Sequence, residues 1–68
     1  MGVANREIEP YDIVEVNHGE KWEDYATLRD ENDFTHAKRL VGDNPNKFRI
    51  VSGRMRDRGS LIYGVASK

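Results

Sequence analysis

The sequence predicts a small α+β fold, in which an antiparallel sheet carries one helix on one face. Four short segments rich in β-branched and aromatic residues have the character of strands. One segment between the second and the third of them has apolar residues at helical spacing. The loop between the first two strands is short enough for a hairpin, so we expect the order β-β-α-β-β.

Length and composition limit the protein to one small domain. The chain has 68 residues, and a domain of this size buries only about 60% of the surface that its unfolded form exposes. There is no cysteine, so no disulfide can add stability, and a zinc site would need only histidine and carboxylate ligands. We expect a loose N-terminal arm over residues 1–10 and a single α+β domain over residues 11–68.

The first predicted strand covers Tyr11–Asn17. Its alternation slips, because Tyr11 and Ile13 point to one side whereas Val14 and Val16 point to the other. A bulge, or burial of both faces of the strand, would explain this pattern.

The second predicted strand covers Lys21–Arg29 and follows a turn at Gly19, where glycine can adopt a positive φ. Trp22 and Tyr25 fall on opposite sides of this strand, so only one of them can pack beneath the helix. The other is then exposed as a candidate interface anchor, unless the N-terminal arm covers both.

The helix is predicted over Asp33–Val41. Its apolar stripe consists of Phe34, Ala37, Leu40 and Val41. Asn32 or Asp33 is the expected N-cap, and the neighbouring acidic residues suit the positive end of the helix dipole. Gly42 is the expected residue just beyond the C-terminus.

The third and fourth strands are predicted over Lys47–Gly53 and Leu61–Ala66. We expect Phe48 and Ile50 to point inward from the third strand. The predicted core contains Ile13 or Val14, together with Val16, Trp22, Leu28, Phe34, Ala37, Leu40, Val41, Phe48, Ile50, Leu61, Tyr63 and Val65.

The last strand is apolar on both faces, with Ile62, Gly64 and Ala66 on the second one. A single helix covers only one face of a sheet, so the second face needs another cover. A two-fold copy of the chain is one candidate, which predicts a homodimer. The N-terminal arm, through Val3 and Ile8, is the other.

The spacing of the core positions resembles a family of short proteins from tailed bacteriophages. The matching elements are Trp22-x2-Tyr25-x-Thr27, then Phe34-x2-Ala37-x2-Leu40, then Phe48-Arg49-Ile50-Val51. The resemblance covers roughly residues 11–52 and implies a small α+β unit that binds a host protein in the host cytoplasm, as a modulator or inhibitor. It implies no catalytic residue.

Motifs for catalysis and cofactor binding are absent from the sequence. The six glycines form neither a dinucleotide-binding fingerprint nor a P-loop, and no serine lies in a nucleophile elbow. Asp30–Asp33 lacks the glycine and the final glutamate of an EF-hand loop. We therefore expect no enzyme, cofactor or metal site. The lack of a long apolar run or a signal-peptide core predicts a cytoplasmic protein that does not enter the membrane.

Charge is distributed unevenly along the chain. Residues 1–34 carry a formal charge of −7 and residues 35–68 carry +6. Either the second half provides a basic binding face, or the two halves lie side by side and neutralise each other. Arg49, Arg54, Arg56 and Arg58 are the most suggestive basic set.

We predict that these arginines form a basic β-ribbon that binds a partner. A bulge at Gly53 would turn Met55 inward and would bring Arg54 and Arg56 out beside Arg49. Guanidinium groups suit either protein carboxylates or phosphates. The pI of about 6.1 is low for a nucleic-acid binder. We therefore predict a protein-binding module, with nucleic-acid binding as the alternative. The predicted contact residues are Arg49, Arg54, Arg56, Arg58 and Tyr25.

Overall fold

The computed structural model describes residues 3–65, and the side chains of residues 6–65. One helix packs on a five-stranded antiparallel sheet, which confirms the predicted fold class. The elements are β1 (Val3–Asn5), β2 (Ile13–Asn17), β3 (Trp22–Thr27), α1 (Glu31–Asp43), β4 (Phe48–Val51) and β5 (Leu61–Val65). The strand order across the sheet is β1-β5-β4-β2-β3.

The N-terminal arm contains a strand that the sequence does not predict. Val3 pairs with Val65, Asn5 pairs with Tyr63, and the N–H of Arg6 donates to the carbonyl of Ile62 at 2.8 Å. Three residues are too few to show the period of two that identifies a strand, so the pattern predicted a loose arm. The fold therefore has the order β-β-β-α-β-β.

The helix face of the sheet carries the apolar core. Val14 pairs with Ile50 and Val16 pairs with Phe48, so these four side chains share one face and pack with the buried residues of α1. The buried cluster consists of Ile8, Val14, Val16, Leu28, Ala37, Val41, Phe48, Ile50 and Ile62. Phe34, Leu40 and Tyr63 pack against it while half-buried.

The opposite face of the sheet carries the alternate residues of β2 and β4, which point away from the helix. Ile13 pairs with Val51 and Glu15 pairs with Arg49 on this face. The register of β2 against β3 shifts after Val14, and both Ile13 and Val14 are buried. Burial of both faces, one of the two explanations that the sequence left open, therefore accounts for the pattern of this strand. The bulge lies in β3, where Tyr25 is the extra residue.

The helix begins earlier and ends later than the sequence predicts. The carboxylate of Asp30 accepts the N–H of Asp33 at 3.0 Å, and the carboxylate of Asp33 accepts the N–H of Arg29 at 3.1 Å. Asp30 is therefore the N-cap and not Asn32 or Asp33, and Asp33 also binds the backbone of the residue that precedes the cap. The helix passes through Gly42 and ends at Asp43, with Asn44 as its C-cap.

The prediction for the two faces of β5 is wrong in part, because the second face is the more buried one, although Tyr63 still packs against the core cluster. Ile62 and Gly64 are buried, whereas Leu61, Tyr63 and Val65 are only half-buried. Gly64 has a φ of +128°, and a Cβ placed there would lie 3.4 Å from Cγ1 of Val41. The missing side chain thus lets α1 approach the sheet closely at this point. Ala66, which was predicted to extend this strand, lies outside the described residues.

Candidate functional site

The segment between β4 and β5 carries three of the four predicted contact arginines. We call residues 52–60 the arginine loop, because it contains Arg54, Arg56 and Arg58. It consists of bends and turns and does not form the β-ribbon that the sequence suggested. The arginines at positions 54, 56 and 58 therefore do not follow the alternation of a strand.

Hydrogen bonds close the base of the arginine loop. The N–H of Ser52 donates to the carbonyl of Ser60 at 2.8 Å, and the carbonyl of Ser52 accepts the N–H of Gly59 at 2.9 Å. The buried hydroxyl of Ser52 donates to the carboxylate of Asp57 at 3.0 Å and accepts the N–H of Arg54 at 3.2 Å. The loop is therefore held in one shape from within, although its tip faces solvent.

Two guanidinium groups of the arginine loop meet acidic residues from the first half of the chain. Arg54 forms an ion pair with Glu9. Arg58 lies 4.0 Å from the carboxylate of Asp24 and donates to the carbonyl of Gly53 at 3.2 Å. The opposite charges of the two halves thus lie side by side, as the second interpretation of the charge pattern expected.

The tip of the arginine loop exposes Met55 and Arg56. Met55 is 95% exposed, so the prediction that it turns inward is wrong. That prediction assumed a continuing strand, whereas turns leave the Met55 side chain free of the core. Arg56 is exposed and makes no hydrogen bond or ion pair within the part of the chain that the structure describes.

Arg49 does not belong to the arginine loop, and its contacts lie on the face of the sheet that points away from the helix. Its Nε donates to Oε1 of Glu15 at 2.8 Å, and its guanidinium carbon lies 4.1 Å from the centroid of the Trp22 ring. Both charged side chains are largely buried, at 22% and 15% exposure. Arg49 therefore stabilises the sheet through a covered ion pair. Trp22, predicted to be in the core, is instead half-buried over this pair.

Tyr25 is the exposed aromatic residue of β3, but the sequence alternative that predicted this also placed Trp22 beneath the helix, which is wrong. Tyr25 is 59% exposed, and its ring contacts that of Phe48 edge-on at a centroid distance of 5.1 Å. It borders an open groove of about 160 Å³ between β3 and α1, whose walls include Ala26, Leu28 and Leu40. The structure thus places the ring of Tyr25 at the groove beside α1, on the edge strand, whereas its neighbour Asp24 faces Arg58 of the arginine loop.

A turn that the sequence analysis did not identify contacts the arginine loop. Residues Glu9 to Asp12 close a turn in which the N–H of Asp12 donates to the carbonyl of Glu9 at 3.1 Å. Tyr11 has a φ of +84° and is 71% exposed, so it belongs to this turn and not to the first strand. A Cβ at Gly53 would overlap the carbonyl oxygen of Tyr11, so the turn and the loop are in direct backbone contact.

Comparisons with known proteins do not assign the chain to a family. No family model, no curated protein and no solved structure matches it. Among the described residues, no group of three or more histidine, aspartate or glutamate side chains is arranged to hold a metal ion. Within residues 3–65, the structure contains no helix with the length and apolar character needed to cross a bilayer.

Proposed function

We propose that this protein is a small protein-binding module without catalytic activity, and that the arginine loop is its binding surface. The exposure of Met55 next to Arg56, on a loop with a fixed base, carries this proposal. Methionine and arginine are both enriched at protein interfaces. A side chain that is 95% exposed contributes almost no apolar burial to the fold, so binding is the better explanation for its position.

A protein partner explains the arginine loop better than a nucleic acid does. The pairing of Arg54 with Glu9, and of Arg58 with Asp24, reduces the positive field that phosphates would meet. Phe48 is buried in the core, so it is not available to stack on a base. Nucleic-acid binding through the exposed Arg56 remains the alternative.

The resemblance to short bacteriophage proteins suggests the setting of this interaction. On that basis we propose a host protein as the partner and the host cytoplasm as the location, with the protein acting as a modulator or inhibitor. The predicted homodimer is a separate proposal, although Ile62 and Gly64, on the face that the second copy was expected to cover, are buried within the single chain, with Ile62 in one cluster with Ile8. Sedimentation at micromolar concentration tests it, because a clean monomer would contradict it.

Site-specific crosslinking tests whether the arginine loop touches a partner. A photoreactive amino acid replaces Met55 in one variant and Arg39, which is exposed on α1, in a matched control. Each variant is irradiated in a bacterial lysate with and without nuclease. We expect a discrete adduct from position 55 that contains protein and survives nuclease, and no such adduct from position 39.

Two outcomes of the crosslinking experiment would count against the proposal. Identical adducts from both positions would mean that the arginine loop does not contact the crosslinked protein more specifically than the surface of α1 does. An adduct from position 55 that disappears with nuclease would favour the nucleic-acid alternative. A partner identified in this way can then be purified for quantitative titration.

A further inference from the structure

The turn at residues 9–12 holds a tyrosine where the backbone favours glycine. Pro10 occupies the second position of this turn and Tyr11 the third, with a φ of +84°. A proline at the second position, a positive φ at the third and a hydrogen bond from the fourth residue to the first are the features of a type II turn. Glycine or asparagine is the usual residue at the third position, because a larger side chain is strained there.

The side chain of Tyr11 contributes little buried surface to the stability of the fold. That side chain is 71% exposed, so its ring buries little surface against the rest of the chain. The backbone contacts of Tyr11 do not depend on its side chain: its N–H donates to the carbonyl of Leu28 at 3.2 Å, and its carbonyl lies against Gly53. An exposed residue in a strained conformation is more typical of functional sites than of the rest of a fold.

The strained turn is fixed to the arginine loop. The carboxylate of Asp12, which is buried, accepts the N–H of Glu9 at 2.7 Å and so stabilises the turn from inside. The side chain of Glu9 then pairs with Arg54 of the loop. The backbone of Tyr11 touches Gly53, which is two residues before Met55. The turn and the loop therefore present their exposed side chains from one connected unit.

We infer that Tyr11 is the aromatic anchor of the binding surface, and that the partner presents an acidic segment with a large apolar side chain. This inference rests on the proposed function. Tyrosine offers a large contact area while only two torsion angles are fixed on binding. Tyr11 and Met55 would contact the apolar side chain of the partner. Arg56, which has no partner among the described residues, would pair with its carboxylate.

Substitution of Tyr11 separates a role in binding from a role in folding. Tyr11→Asn introduces a residue that tolerates positive φ, so we expect the melting temperature to rise by roughly 4 °C or more. The same change removes the proposed anchor. Tyr25→Asn is the matched control, since Tyr25 is also exposed but contacts Phe48. We expect this control to lower the melting temperature and to leave binding unchanged.

A display library of random linear peptides, selected on the full-length protein, supplies the probe. We expect the selected peptides to combine Asp or Glu with Leu, Phe or Trp. Their affinity should fall roughly tenfold or more for Tyr11→Asn and for Arg56→Glu, because anchor residues dominate binding energy. A fall in affinity together with a rise in melting temperature for Tyr11→Asn supports the inference, since a purely structural residue would lower both.

Several results would overturn the inference about Tyr11. If Arg56→Glu abolishes binding and Tyr11→Asn does not, the arginine loop stands but Tyr11 is not its anchor. If neither change affects binding, the proposed surface itself is wrong. A lower melting temperature for Tyr11→Asn would assign tyrosine a structural role. Enrichment of basic peptides, a selection without binders, or binding of a single-stranded oligonucleotide through Tyr11 would each contradict the proposed partner.

Discussion

The two faces of the sheet are stabilised by different interactions. On the helix face, Val14 and Ile50 pack against Val41 in an apolar cluster. On the opposite face, Arg49 and Glu15 form a largely buried ion pair beneath the ring of Trp22. Apolar burial is non-directional, whereas the ion pair depends on exact partners. The helix face should therefore be sensitive to the loss of buried volume, and the opposite face should tolerate only paired changes of charge.

The comparison also distinguishes arginines that stabilise the fold from arginines that are free to bind a partner. Arg49 appears in the sequence as one of four similar arginines, but the sheet uses it to pair with Glu15. Arg56 is exposed and has no such partner among the residues that the structure describes. Binding and stability should therefore respond to different members of the same basic set.

The largest loss of stability is expected from a cavity on the helix face. Ile50 is completely buried, and Ile50→Ala should cost about 2–5 kcal/mol through lost burial and the cavity that remains. A domain this small has few kcal/mol to lose, so the variant should be partly or wholly unfolded at room temperature. Urea unfolding followed by circular dichroism measures the change. Leu61→Ala, at a half-buried position, is the control and should cost clearly less.

The opposite face should be sensitive to the loss of one charge and tolerant of the loss of both. Arg49→Met leaves Glu15 covered without its cation, and we expect a loss of about 1.5–3 kcal/mol. The double variant Glu15→Leu with Arg49→Met should recover most of this loss, because well-packed apolar pairs often replace buried ion pairs without penalty. A double-mutant cycle from denaturant unfolding gives the coupling energy. Additive effects would contradict the ion-pair description.

Contact between the arginine loop and the turn at residues 9–12 should be sensitive to a single methyl group. Gly53→Ala places a Cβ against the carbonyl of Tyr11, so one of the two segments must move, at a cost of about 1–3 kcal/mol. Gly42→Ala is the matched control, because Gly42 is helical and has open space around it. That change should stabilise the protein by about 0.5–1 kcal/mol. Equal melting temperatures for the two variants would disprove the contact.

Charge reversal at the tip of the arginine loop should have the smallest effect on stability. Arg54→Glu combined with Arg56→Glu removes one exposed ion pair, which is worth about 0–1 kcal/mol. The melting temperature should therefore change by only a few degrees. Thermal denaturation at low and high salt checks this, since screening should reduce the difference further. Loss of the fold would show that the loop arginines are structural.

The sequence predicted the parts of this fold that depend on local periodicity. The stripe of Phe34, Ala37 and Leu40 identified the helix, and apolar residues on both sides of β2 indicated that both of its faces are buried. Asp30 was missed as the N-cap, although its hydrogen bond from the N–H of Asp33 is a local contact. Here several neighbouring acidic residues offered equivalent caps.

The parts that the sequence did not predict depend on contacts between distant residues. Glu15 and Arg49 are 34 positions apart, and no local pattern indicates that they meet. Tyr11 in particular follows Pro10 at a position where glycine would have signalled the turn. For the proposed binding surface, the arginines at 54, 56 and 58 could be named from the sequence. The acidic residues that pair with them and the adjoining turn could not.

Titration of the crosslinked partner against matched charge variants tests the binding proposal most directly. Arg56→Glu changes the exposed tip of the arginine loop, and Arg39→Glu makes the same change on α1. Isothermal calorimetry with the purified partner should show at least a roughly tenfold weaker affinity for Arg56→Glu, as expected at an interface hot spot, and an unchanged affinity for Arg39→Glu. Equal affinities of both variants and the wild-type protein would contradict the assignment of the binding surface to the arginine loop.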